Sequence, residues 1–432
     1  MDTLSARRIT TAITLSIAVA CASSLVIAAV YPSMHPFAAS GLAKRFTLPV
    51  SLVAFGIALL LPPTRGRTIR YRFPGWWTML VAVGLTSSFL SATLLTDDQG
   101  LFASAKAAGL YAGFLLAAAA GLTAGYWTDD LKARLTWVLI IGGLVSAVLA
   151  RDMPPFVAIA APAGFGALYL AARNPERRAR LTFLGIVILG LTGWRIVNAP
   201  ASHPPSIALI TSLLVCGGFL LLLVLPRSLR LFAAFGAAIY ATWWMLSDGT
   251  YRILFGAYRF EDVTIAQRGY ETNRVLAVLD DSPLALLFGM GPGASVDLSM
   301  SPDRVTLLSS GRTLGAVDDV HLLTSYVLLK FGLFGLLWLG ILLWQVVKLC
   351  VEQVRDPDPW RVTLLLFVLS GTVAAIPAAT YFFSNPLPAL CLGILVATRA
   401  TNPEGRGHTA TSRVESVQTG VRSYSSGMNP HQ

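Results

Sequence analysis

Long apolar runs, separated by short polar connections, make up most of this chain. A helix that crosses a bilayer needs roughly 20 mostly apolar residues. By this criterion the sequence predicts about twelve spans and an all-α, polytopic membrane domain over residues 1–398. The spans lie near residues 9–30, 46–62, 76–96, 105–126, 135–150, 153–172, 181–199, 206–225, 229–247, 322–347, 361–383 and 385–398.

The composition agrees with a membrane location. Of the 432 residues, 55% are hydrophobic and only 13% are charged, and the mean hydropathy is +0.65. A soluble protein of this length cannot bury so much apolar side chain, so the surplus must face lipid. The net charge of +11 does not indicate nucleic-acid binding. The arginines form small clusters between apolar runs, whereas nucleic acid requires a basic stripe or patch.

The basic clusters predict the orientation, because short cytoplasmic loops are enriched in Lys and Arg. With twelve spans, nearly all clusters fall on one side, and Lys44–Arg45 is the one awkward pair. Both termini are therefore predicted to be cytoplasmic, in a multi-pass protein of the cytoplasmic (inner) membrane. The first span is interpreted as an uncleaved anchor rather than a signal peptide. Residues 399–432, rich in Ser, Thr, Gly and Arg, are predicted to form a disordered cytoplasmic tail.

One long polar stretch, Asp248 to His321, interrupts the apolar pattern between the ninth and tenth predicted spans. It holds ten of the chain's 22 carboxylates, six arginines and one histidine. The predicted orientation places it outside the cytoplasm. Loops held by a rigid scaffold often carry binding and catalytic residues. The loop is therefore the predicted location of any chemistry.

The predicted spans contain no carboxylate. Ion-coupled transporters commonly place an acid near the bilayer midplane, so this absence argues against that class. Three basic residues, Lys106, Arg195 and Lys330, lie near the predicted outer ends of spans. Two interpretations remain open for them. They reach to the interface along their own alkyl stems, or they line an outward-facing cavity and bind an anion.

Within the loop, Arg274–Phe288 has apolar residues near helical spacing but is too short to span. It is predicted to form an interfacial or amphipathic helix that ends at Ser282–Pro283. The glycines that follow, Gly289, Gly291 and Gly293, predict a tight turn, because glycine tolerates positive φ. They do not form a dinucleotide fingerprint, since Ala294 replaces its last glycine and no strand precedes them.

The loop ends at His321, where the tenth span begins. A histidine can serve as a base near neutral pH, and Asp318 or Asp319 is expected to orient it. Arginines pair bidentately with phosphate groups, so a phosphate or pyrophosphate is the expected ligand. The candidate arginines are Arg268, Arg274 and Arg195. Each of these residues alone is more often an ordinary surface residue, and only their combination favours a binding site.

These features resemble the O-antigen ligase and O-antigen polymerase superfamily of bacterial membrane glycosyltransferases. The resemblance rests on Arg274 ahead of the amphipathic segment, on the Ser282-Pro283 to Gly293 signature, and on His321 leading into a glycine-containing span. The predicted topology is also similar. The family commonly has Asn where this chain has Leu322, and an arginine in the turn that here contains His203.

The resemblance implies a GT-C-like fold and metal-independent transfer of a glycan from a polyprenyl-diphosphate carrier, such as undecaprenyl diphosphate, to an acceptor glycan or glycolipid. Arg268 and Arg274 would hold the diphosphate, with Arg195 as a further candidate. His321 would accept the acceptor's proton or hold a phosphate oxygen. Asp318 or Asp319 would orient His321 or serve as the base instead, and the glycines would shape the loop. No cofactor or metal is implied. Two alternatives remain open: a transporter or flippase for the same lipid class, and a non-catalytic assembly or sensor protein.

Overall fold

The computed structural model describes the membrane domain from the fourth predicted span onward, with gaps. Its continuous ranges are 109–122, 129–149, 154–198, 207–226, 261–280, 282–298, 316–317, 320–376 and 386–400, with isolated positions in 75–86 and 228–236 and at 379 and 383. The first two predicted spans, most of the third and ninth, residues 401–432 of the predicted tail, and Asp318 and Asp319 lie outside the described residues.

The described part is mostly helical, as predicted. Ten α-helices and a short 3₁₀ turn at Pro175–Arg177 fall within the described ranges. The helices are α1 Gly109–Leu122, α2 Asp129–Leu149, α3 Pro154–Arg173, α4 Arg178–Val197, α5 Ile207–Val224, α6 Glu261–Asp280, α7 Pro283–Phe288, α8 Leu323–Arg355, α9 Pro359–Ala375 and α10 Pro386–Ala400. Two strands, β1 Val296–Asp297 and β2 Ala316–Val317, pair antiparallel.

Two of the described helices are long and apolar enough to cross a membrane: the run Pro175–Val197 and α8. Shorter apolar helices also occupy parts of the fourth, fifth, eighth, eleventh and twelfth predicted spans. Several bury little of their apolar surface. Val197, Leu221 and Val224 are among the exposed large side chains. Apolar residues at these positions suit a lipid environment.

Small residues allow the helices to approach closely. Helix α3 packs against α2, α4, α5 and α9. Gly143 of α2 faces Ala163 of α3, and Gly166 of α3 faces Thr363 of α9; a Cβ at either glycine would overlap its neighbour. Close approach through small side chains is typical of helix packing in membranes, where dispersion contacts replace the hydrophobic effect.

Hydrogen bonds at the two ends of α8 mark two distinct ends of the bundle. At one end, the buried guanidinium of Arg230 donates to the carbonyl oxygens of Leu223, Leu225 and Val354. These carbonyls lie at or just beyond the ends of α5 and α8, where backbone acceptors lack helical partners. At the opposite end, the Leu323 N–H at the start of α8 donates to the Ile376 carbonyl, just beyond α9.

Helix α8 is broken at Gly332, which has φ 64° and ψ −157°. The break allows other donors to approach two carbonyls of the helix. Met290 N–H donates to the Leu329 oxygen at 2.8 Å, and Gly291 N–H donates to the Lys330 oxygen at 3.2 Å. Gly289 and Gly291 also have positive φ, 77° and 90°. The predicted tight turn is present, and it is bonded to the break in the helix.

We expect Gly332→Ala to destabilise the protein by about 1–3 kcal/mol, the typical cost of a strained non-glycine backbone. A Cβ at Gly332 would also lie 2.5 Å from the Leu287 carbonyl carbon. Gly340→Ala is the matched control, because it lies in the same helix with no atom within 4 Å of its added Cβ. Thermal unfolding in detergent should show a lower midpoint for Gly332→Ala only. Equal midpoints would contradict the structural importance of the break.

Three sequence predictions need correction. The helix predicted from Arg274 to Ser282–Pro283 ends close to the predicted position, at Asp280, but it begins earlier, at Glu261, and a separate helix α7 follows Ser282. The Ser282 side chain accepts from Ala285 N–H, and Pro283 occupies the first turn, so the sequence starts a new helix there. Helix α8 continues to Arg355, beyond the predicted end at residue 347. The loop also contains the β1–β2 pair, which an all-α class omits.

Candidate functional site

The site is built on helix α6, one face of which is buried. Val275 and Leu279 are four residues apart on this face, and both are almost fully buried. Glu271 lies one further turn toward the N-terminus and has no exposed surface. Helix α6 packs against α7, α8 and β1. A carboxylate on a buried face is costly unless it is paired or hydrogen-bonded.

The partner of Glu271 is His321. The His321 backbone N–H donates to Oε2 of Glu271 at 3.0 Å, and the ring Nδ1 lies 2.7 Å from Oε1. The carbonyl oxygen of His321 accepts from Ala379 N–H at 2.7 Å. The histidine is therefore fixed through its backbone on both sides and through one ring nitrogen.

This geometry determines which face of the imidazole is available. When Glu271 is ionised, its carboxylate only accepts hydrogen bonds, and Nδ1 then carries the proton of the bond to Glu271. In the neutral ring, Nε2 then holds the lone pair. The histidine side chain is 33% exposed, whereas that of Glu271 is 0% exposed. Within the described part of the chain, Nε2 has no hydrogen-bond partner. The arrangement can accept a proton from an approaching hydroxyl.

A second polar contact fixes α6 against α8 beside this pair. The hydroxyl oxygens of Thr272 and Ser325 lie 2.9 Å apart. Thr272 is adjacent to Glu271, and Ser325 is four residues after His321. The contact opposes sliding of the two helices, and so supports the alignment of Glu271 with His321.

Arg274 lies three residues after Glu271 on α6, about 4.5 Å further along the helix axis. Its Nε donates to the Asp297 carbonyl at 3.3 Å. For the two terminal nitrogens, the described residues provide no hydrogen-bond partner. A guanidinium held at Nε with its fork open can bind an anion bidentately. Arg274 thus lies on the same helix as Glu271, the residue that holds His321.

The other predicted arginines have different positions. Arg268 lies one turn before Glu271 on α6. Arg195 lies at the end of α4, and its Nη2 donates to the Val148 carbonyl of α2 at 2.7 Å. Helix α4 packs on α2 and α3, whereas α6 packs on α7, α8 and β1. Arg195 therefore has a structural contact in another part of the bundle.

Among the described residues, the carboxylate that holds His321 is Glu271, fifty residues earlier in the chain. Asp318 and Asp319, the predicted partners, lie outside the described residues, so their role stays a prediction. The expectation for Lys330 needs revision. Lys330 neither reaches the interface nor lines a cavity, because it is 1% exposed and donates to the Ala294 carbonyl. Gly293 is buried in the turn that contains Gly289 and Gly291.

Sequence reasoning missed Glu271, although a signal was available. Glu271 precedes Val275 by four residues and Leu279 by eight, the spacing of one helix face. An acid aligned with two aliphatic residues is an exception to binary patterning, and such exceptions often mark functional positions.

No protein-family model matches the chain, and no curated protein matches it. In the part that the structure describes, no three His, Cys, Asp or Glu side chains converge in a way that would hold a metal ion. Inference about function therefore rests on the Glu271–His321 pair, on Arg274 and on the short motifs around them.

Proposed function

We propose that this protein transfers a glycan from a polyprenyl-diphosphate carrier to an acceptor hydroxyl at the outer face of the cytoplasmic membrane. The observation that carries the proposal is the Glu271–His321 pair, which leaves Nε2 open and has Arg274 on the next turn of the same helix. A base held by α6 through Glu271, with an anion-binding guanidinium on the same helix, suits such a transfer.

In the proposed step, the acceptor's hydroxyl oxygen attacks the anomeric carbon of the donor sugar. Its proton passes to Nε2 of His321, a new glycosidic bond forms, and the bond from carbon to the diphosphate oxygen breaks. The lipid diphosphate leaves with the bonding electron pair. Glu271 stabilises the imidazolium that results, as an ionised carboxylate beside a protonated ring does.

Arg274 is the proposed diphosphate ligand. Negative charge grows on the leaving group during the transfer, and a preorganised guanidinium stabilises it without reorganising. Its Nε contact with Asp297 restricts the side chain, so that less entropy is lost on binding. Arg268, one turn before Glu271, is proposed as a second ligand. Arg195 is a weaker candidate, because its guanidinium already binds Val148.

The proposed orientation follows from the two ends of the bundle. His321 lies at the end where α8 begins, and Arg173, Arg230 and Arg355 lie at the other. The positive-inside rule then places the arginine-rich end in the cytoplasm and the site outside. A donor fits this placement, with its tail in the bilayer, its diphosphate at the interface and its sugar in the aqueous phase.

The experiment is a turnover assay with the full chain reconstituted in liposomes. The substrates are an undecaprenyl-diphosphate oligosaccharide and an acceptor glycolipid, assayed with and without a chelator. We expect release of lipid diphosphate together with formation of the glycosylated acceptor, at equal rates in both conditions. Movement of the donor between leaflets without diphosphate release would instead indicate a flippase. Loss of turnover in chelator would contradict the metal-independent step.

A further inference from the structure

Lys330 is a buried cation in the interior of α8. It lies two turns inside the helix and is 1% exposed. Burial of an ammonium group costs several kcal/mol unless it is compensated by hydrogen bonds or charge. The Lys330 Nζ donates a short hydrogen bond to the Ala294 carbonyl and lies 5.6 Å from the centroid of the Tyr326 ring. Both contacts stabilise the charged form where it is buried.

The carbonyl that Lys330 binds belongs to a segment with further attachments, Gly289–Leu298, here called the anchored turn. Its first part bonds to the α8 backbone through the Met290 and Gly291 N–H groups. Its last part supplies the Asp297 carbonyl that accepts from Arg274. Lys330 binds the middle of the segment, at the carbonyl of Ala294, which is three residues before Asp297.

The anchored turn also leads toward His321. Val296 and Asp297 form β1, which pairs with Val317 and Ala316 of β2. Strand β2 ends four residues before His321. The anchored turn is thus hydrogen-bonded to the Arg274 guanidinium through the Asp297 carbonyl. It is also paired with β2, the strand that precedes His321.

We propose that Lys330 is a positioning residue for diphosphate binding: it fixes the anchored turn, and thereby the carbonyl that orients the Arg274 guanidinium. The inference rests on the proposed function, because it assumes that Arg274 binds the diphosphate. The Nε–oxygen distance of 3.3 Å is near the long limit of a hydrogen bond, so a small shift of Asp297 breaks it. Without Lys330, the Ala294 carbonyl loses its charged donor. The middle of the anchored turn then loses this attachment to α8 and can shift.

The test uses Lys330→Met in the full chain, reconstituted in nanodiscs, with undecaprenyl diphosphate as the probe. We expect about ten-fold weaker binding, the order expected when one charge-assisted contact is lost. Lys348→Met is the matched control. Lys348 lies on the same helix, four residues after Trp344, with its Nζ 5.5 Å from that ring, and it should bind the probe like the wild type.

Two further measurements separate positioning from general damage. In an Arg274→Met background, Lys330→Met should weaken binding by less than about two-fold, because its effect acts through Arg274. Amide exchange at Met290, Gly291 and Ala294 should accelerate in Lys330→Met, while exchange in α9 stays unchanged.

The outcomes distinguish the two proposals. If the wild type binds no undecaprenyl diphosphate and releases none from the donor, the proposed function fails, and the role of Lys330 fails with it. If the wild type binds the probe and Lys330→Met binds it equally well, only the role of Lys330 is overturned. Independent, multiplicative losses in the double variant would also overturn it, because they would show that Lys330 does not act through Arg274.

Discussion

His321→Asn should reduce the rate of lipid diphosphate release by about 10²- to 10⁴-fold, the range for loss of a general base. Asparagine places an amide N–H close to the position of Nδ1, so it can still donate to Glu271. Asparagine has no atom at the position of the imidazole Nε2. The variant therefore removes the proposed proton acceptor and keeps the contact that holds the buried carboxylate.

His321→Ala is the harsher comparison, because it leaves the Glu271 carboxylate without its ring partner. Breaking a buried pair typically costs about 3–5 kcal/mol. We therefore expect a lower unfolding midpoint for His321→Ala than for His321→Asn, with comparably low turnover in both. Near wild-type turnover in a well-folded His321→Asn protein would show that Nε2 does not take the proton.

Glu271→Gln should reduce turnover by about 10²-fold or more, approaching the loss in His321→Asn. Both carboxylate oxygens of Glu271 contact His321: Oε2 accepts from the backbone N–H, and Oε1 lies 2.7 Å from the ring Nδ1. An amide has one accepting oxygen and one donating nitrogen. If the amide nitrogen faces the ring, Nδ1 must accept, and the proton moves to Nε2. If the amide nitrogen faces the backbone instead, it meets the His321 N–H, and two hydrogen-bond donors face each other with no acceptor between them.

Glu352→Gln is the matched control for this substitution. Glu352 pairs with Arg361 at 3.5 Å, and both side chains are partly exposed, at 24% and 22%. Such pairs typically contribute about 0–1 kcal/mol. Glu352 lies near the C-terminal end of α8, at the opposite end of the bundle from His321. Glu352→Gln should turn over like the wild type. Equal losses in the two variants would indicate a general effect of removing a carboxylate.

The apolar runs predicted much of the fold, because span length is fixed by bilayer thickness. The described helices α2, α3, α4, α5, α8, α9 and α10 overlap the predicted spans within a few residues at most ends. Helices α8 and α9 are the main exceptions, because α8 extends beyond its predicted end at residue 347 and α9 ends at Ala375, before its predicted end at residue 383. The last turns of α8 contain Glu352 and Arg355 and are polar. Hydropathy therefore ends the predicted span before them, although the backbone stays helical.

The candidate site was only partly predictable. His321 was found because it lies where a polar loop meets an apolar run. The sequence predicts a carboxylate partner nearby, at Asp318 or Asp319, and does not indicate the contact with Glu271. Pairing across fifty residues depends on how α6 packs against α8, and the periodicity of one helix does not contain that information.

Lys330 shows a second limit of sequence rules. A lysine near a span end is expected to reach water along its own stem. Here the α8 backbone breaks at Gly332, two residues later, and the turn beginning at Gly289 packs into the break. The break brings the Ala294 carbonyl to the lysine inside the protein. Hydropathy does not predict the contact between Lys330 and Ala294, because the contact depends on the positive φ of Gly332.

The most direct measurement of the central claim, that Glu271 and His321 act as one unit, is the rate of lipid diphosphate release by the double variant Glu271→Gln/His321→Asn. If Glu271 acts only through His321, the double variant should be no slower than His321→Asn alone, as expected for groups that function together. If the two losses multiply, the residues act independently, and the pair is not the proton-accepting unit proposed here.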